Sequence, residues 1–133
     1  MRLPSYILLV LAFGLPSSLA AAAEIPPAYR GYFDASTRAP DAPGCRKGDA
    51  NENTASIGRR EVRFWESVCK VRSVRRGFRN NLSFRATCTG EGSAWRIEGA
   101  LSIAKVRGRD GVLMTRKFLK SGRTGSNFFE RCT

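Results

Sequence analysis

The sequence predicts an all-β domain, a small antiparallel barrel or sandwich stapled by two disulfides and preceded by a cleaved signal peptide. Three observations carry this prediction. Apolar and polar residues alternate at period two after Ser56, turn-forming residues punctuate those stretches, and four cysteines (Cys45, Cys69, Cys88 and Cys132) follow a leader-like first segment. Residues 1–23 have the order of an export signal: Arg2, the apolar run Ile7 to Phe13, then Pro16 with the small residues Ser17, Ser18 and Ala20 to Ala23. Gly14 and Pro16 interrupt the run short of the roughly 20 apolar residues that a spanning helix needs. The mature chain, 24–133, is therefore expected to be a single domain without a transmembrane segment, periplasmic or secreted.

From Glu24 to Thr54 the chain is rich in turn formers, with one apolar island at Tyr32-Phe33, so it reads as one strand followed by a long loop tied down by Cys45. Glu61 to Val74 is rich in β-branched and aromatic residues but loses its alternation near Glu66, where a bulge or sharp bend is expected. Arg76 to Asn81 reads as a loop. In Leu82 to Cys88 every second residue is apolar, and Trp95, Ile97, Leu101 and Ile103 share one side of the next strand. Arg107 to Gly111 is a turn, with Asp110-Gly111 as its hairpin signal, leading to Val112-Leu113-Met114. Ser121 to Ser126 reads as a flexible connector into a last strand, Asn127 to Arg131. Cys69 and Cys88 lie nearly equidistant from the loop at 76–81, which sets them across adjacent strands. Of the three connectivities open to four cysteines, this favours Cys69 with Cys88 and leaves Cys45 for Cys132.

The formal charge is +12, with Arg2 the only charge in the leader, and Arg greatly outnumbers Lys. Guanidinium groups suit phosphate and carboxylate, so an anionic polymer, a lipid surface or an acidic protein is the expected partner. Two concentrations stand out. Lys70, Arg72, Arg75, Arg76, Arg79 and Arg85 fall in a stretch, Ser67 to Thr89, that holds no acidic residue. Lys105, Arg107, Arg109, Arg116, Lys117, Lys120 and Arg123 surround only Asp110. The candidate anion-binding set is Lys70, Arg72, Arg75, Arg76, Arg79, Arg85, Arg107 and Arg109. Phe78 is the sole aromatic in the first hairpin loop and no helix is predicted for a groove, so sequence-specific nucleic-acid reading is not expected.

The chain has no histidine and no C-x-x-C pair, which removes histidine triads and the usual zinc ligands, and no cofactor motif is present. Glu66 and Glu91 could form an acid and base pair of the kind sugar-polymer hydrolases use. The simpler expectation is that Glu66 ends a strand and pairs with an arginine while Glu91 occupies a Gly-Glu-Gly turn. Trp95 is expected in the core and Trp65 less firmly so. Asn81-Leu82-Ser83 matches the glycosylation triplet, a short and frequent pattern.

Ile25-Pro26, Gly31-Tyr32-Phe33, Cys45 in a loop, Phe64-Trp65-Glu66-Ser67, Gly90-Glu91-Gly92 and Arg131-Cys132 span nearly all of the mature chain. Together they resemble a loosely defined group of small exported alphaproteobacterial proteins, similar in outline to small periplasmic β-barrel inhibitors. The resemblance implies the barrel and the compartment, and members that lack the equivalents of Cys69 and Cys88 together imply that these two pair. The chain departs from such barrels in having Phe33 where a Trp is usual, and in its heavier Arg load. The leading expectation is a non-enzymatic envelope protein that binds an anionic partner. The alternatives are an inhibitor of a hydrolase and a carboxylate-dependent hydrolase. For an inhibitor a protease is the better target, since a basic lysozyme would repel a basic protein.

Overall fold

The computed structural model describes residues 23–36 and 38–133. The expected leader lies outside the described residues except for Ala23. Eight strands, each antiparallel to the next in chain order, close into one barrel when the last returns to the first. They are β1 (Gly31–Asp34), β2 (Thr54–Ile57), β3 (Glu61–Phe64), β4 (Ser67–Arg76), β5 (Asn81–Gly90), β6 (Ser93–Val106), β7 (Arg109–Phe118) and β8 (Thr124–Arg131). Closure gives every strand two neighbours. Among the described residues no helix is long and apolar enough to cross a membrane.

A barrel of eight strands has an interior that side chains can fill, and the inward residues of every strand do so. Phe33, Ile57, Val62, Val71, Leu82, Phe84, Ile97, Leu101, Val112, Met114 and Phe129 are buried there. Gly99, opposite Phe84 in the ladder, leaves room for the Phe84 ring, into which a Cβ at that position would run. Pro26 and Pro27 start a 3₁₀ turn (Pro27–Tyr29), and Ile25 and Tyr29 belong to the same buried cluster.

The Cys69–Cys88 and Cys45–Cys132 disulfides form as expected, the first between residues directly opposed in the β4–β5 ladder. The second secures the place where the barrel closes. There β1 and β8 share only the pairs Phe33 with Arg131 and Asp34 with Glu130. The Cys132 N–H donates to the Tyr32 carbonyl at 2.8 Å, and the Arg131 guanidinium donates to the carbonyls of Arg30 and Ala28 at 2.6 and 2.8 Å.

Four local expectations are corrected. The break near Glu66 is a complete reversal: Trp65 and Glu66 form a two-residue turn, and Phe64 pairs with Ser67. The bulge lies further on, at Arg72, where the register shifts between Val71 and Ser73. The second hairpin turns at Arg107-Gly108, whose φ values of 51° and 75° suit a tight turn, while Asp110 and Gly111 belong to β7. The last strand begins at Thr124 rather than Asn127, because the start of β8 pairs with the end of β7, Thr124 opposite Lys117. Its small polar residues read as a connector only when that neighbour is ignored.

Candidate anion-binding face and barrel mouth

The bulge at Arg72 decides which side chains of β4 face outward. Before it the odd residues Cys69 and Val71 are buried; after it Val74 packs on the core, and Ser73 and Arg75 are exposed. One extra residue thus brings Arg75 onto the same outer side as Lys70 and Arg72. Arg85 on β5 continues that face, with a side chain 71% exposed.

The ladder extends it across two more strands. Lys70, Thr87 and Arg96 lie in one cross-strand row, and Ser73, Arg85, Glu98 and Lys117 in another. Arg96 and Lys117 therefore join the face, although neither belongs to the candidate set. Arg96 was legible by parity, since burying Trp95 and Ile97 turns the residue between them outward. Glu98 is the one carboxylate in these rows and is paired with Arg85 at 3.4 Å.

The rest of the candidate set goes elsewhere. Arg76 and Arg79 belong to the β4–β5 hairpin and Arg107 to the β6–β7 turn, at the same end of the barrel. Arg109 is withdrawn from any outside ligand. Its Nη1 donates to Glu130 Oε1 at 2.6 Å and its Nη2 to the carbonyls of Ala39 and Ala42 at 2.8 and 2.6 Å. Arg38 Nε stands 3.6 Å from the other Glu130 oxygen, and Asp34 accepts from Arg38 at 3.3 Å. Two arginines and two buried acids thereby clamp the long β1–β2 loop onto the barrel.

At the opposite end, the barrel mouth holds a cavity of about 290 Å³ lined in part by Phe64, Trp65, Glu66, Arg116, Asn127 and Phe129. Arg116 opposes Gly99 on the inward side of β7, lies over the Phe64 ring at 4.4 Å and makes no ion pair among the described residues. Burial lowers its proton affinity from the ordinary arginine range. Trp95 packs partly buried against the core as expected, whereas Trp65 is 55% exposed on its turn.

Glu66 and Glu91 meet at this rim. Gly90, which has no Cβ to strike the Glu66 carbonyl, lets the β3–β4 and β5–β6 turns approach. A hydrogen bond shared with the Glu91 carboxyl, reinforced by its charge, makes Glu66 hold its proton above the usual carboxylate range. The expectation of an arginine partner for Glu66 is therefore replaced by a carboxylate partner. The two groups share an open rim where the β3–β4 and β5–β6 turns adjoin.

The fold and its surface define a class: a small disulfide-bonded β-barrel with one cationic outer face. Comparison with protein-family models, with curated proteins and with solved structures finds no match.

Proposed function

We propose that this protein is a non-enzymatic barrel of the cell envelope, exported to the periplasm or beyond, that binds an anionic partner through the outer face of β4 to β7. The observation that carries this reading is the one-sidedness of its charge. Apart from Arg109 and Arg116, which are turned to Glu130 and to the interior, residues 67–118 hold ten cations and three carboxylates, whereas the rest of 24–133 holds ten and eight. Lys70, Arg72, Arg75, Arg85, Arg96 and Lys117 make the face, and Arg76, Arg79 and Arg107 extend it around one end. Rigid strands present the charges in fixed rows, so counter-ions gathered there are released together when a polyanion replaces them.

Binding of the oxidised mature chain to heparin across a salt series tests this. The parent should lose affinity linearly in log salt. Replacing Lys70, Arg72 and Arg85 by Ser, or Arg75, Arg76 and Arg79 by Ser, should each reduce that slope by roughly one per phosphate-like contact removed. Thermal stability should hold, since exposed substitutions cost within about 0.5 kcal/mol each. Salt-independent binding, or variants that match the parent at every salt concentration, would refute the reading.

A further inference from the structure

The end of the barrel formed by the β4–β5 and β6–β7 hairpins differs from the cationic face beside it in carrying exposed apolar side chains. Phe78, at the tip of the first hairpin, is 78% exposed, the highest value among the large exposed hydrophobic residues. It lies between Arg76 and Arg79, and the Arg79 guanidinium is 5.3 Å from its ring. The second hairpin runs alongside. β5 starts at Asn81 opposite Ser102, so β6 continues from Ile103 to Val106 past the start of β5, and the Ile103 N–H donates to the Asn80 carbonyl at 3.4 Å. Ile103 and Val106 are 40% and 41% exposed. Lys105 lies between them and Arg107 follows Val106, and the one acid on this hairpin tip, Asp110, is engaged by Lys105 at 3.6 Å.

A polyanion in water has no use for an apolar tip. A leaflet of anionic lipid has use for both features: its phosphates meet the arginines and the acyl boundary just beneath receives Phe78, Ile103 and Val106. The geometry points to this end of the barrel as a docking site for an anionic phospholipid surface, with Phe78 as the inserting side chain and Arg75, Arg76, Arg79 and Arg107 on the headgroups. The inference rests on the anionic-partner reading above and narrows its partner to lipid. Insertion is shallow and interfacial, because a tip of three apolar residues is far shorter than any spanning element.

The test uses the oxidised mature chain with vesicles of phosphatidylcholine alone or mixed with phosphatidylglycerol, and heparin resin as the lipid-free polyanion. The parent should sediment with the mixed vesicles and not with phosphatidylcholine alone. Phe78→Ser should weaken vesicle binding about tenfold or more and leave heparin binding unchanged, because it removes apolar burial and no charge. Replacing Arg75, Arg76 and Arg79 together by Ser should weaken both. Phe78→Trp should bind and shift its emission to the blue on mixed vesicles only. If F78S bound mixed vesicles as the parent does, or F78W gave no shift, the lipid inference would be overturned. Heparin binding that persisted without vesicle binding would overturn it as well while sparing the broader reading, and loss of both in the parent would sink the two together.

Discussion

Asp34 and Glu130 face each other across the shortest ladder of the barrel, both almost fully buried, with Arg38 and Arg109 as their only cationic partners among the described residues. Removing one member of such a group leaves a buried charge uncompensated. Arg109→Ala should therefore cost about 3 kcal/mol in urea unfolding, while Arg107→Ala, on an exposed turn two residues away, should fall within about 0.5 kcal/mol. Equal losses would refute the clamp. Acid should act on the same group. Burial pushes the Asp34 carboxyl up, but the bonds from Ser36 and the charge of Arg38 outweigh it, and the group lies below its ordinary value of 3.8. Its contribution is then complete above that value and is lost as pH falls through the lower folded one. An unfolding midpoint that drops in this range for the parent and less for Asp34→Asn checks the sign. Glu66 has the opposite sign: its raised proton affinity makes it slightly more favourable protonated. None of this was legible in the sequence. Arg109 looked like one more cation in a run, and only the ladder reveals that its acid comes from a strand 21 residues further on.

Among the elements, β4 depends on its bulge. Deleting Arg72 alone would remove the bulge and keep Val74 inward and Arg75 outward, whereas deleting Arg72 and Ser73 together would turn Arg75 into the core while Val74 faces water. The double deletion should cost about 3 kcal/mol or more by the cost of buried unpaired charge. Arg72→Ser keeps the extra residue and should stay within about 0.5 kcal/mol. Chemical denaturation of the double deletion and of Arg72→Ser separates facing from charge, and similar midpoints would show that the facing of β4 after the bulge sets nothing. Strands β5 and β6 were readable because their inward residues alternate without interruption. The turns were readable only in part: Asp110-Gly111 is the stronger local signal, yet pairing of Lys105 with Asp110 and of Val106 with Arg109 draws both strands in until Arg107-Gly108 must turn. The Trp65-Glu66 reversal has no glycine or proline to announce it. The cationic face was legible as composition; its extent to Arg96 and Lys117 required the register.

For the molecule as a whole, the seam between β1 and β8 is the joint most reliant on side chains, since two ladder pairs there do what ten do between β6 and β7. Replacing Cys45 and Cys132 by Ala should let the Cys132 position, whose N–H is held by Tyr32, exchange its amide hydrogen faster, while amides between β5 and β6 keep their protection. Uniform acceleration across the barrel would mean that the disulfide supports global stability alone. The seam also has a place in time. A chain made from its N-terminus delivers Cys45 first, then Cys69, Cys88 and finally Cys132, yet the native bridges are nested, the pair 19 residues apart lying inside the pair 87 apart. Oxidation in order of arrival would join Cys45 to Cys69. The hairpin prevents that outcome if it captures Cys69 for Cys88 as soon as β5 is complete, leaving Cys45 a free thiol until the last residues appear. Correct oxidation of this protein is thus a matter of waiting, and an oxidant that acts faster than β4 and β5 can pair should yield the wrong bridge.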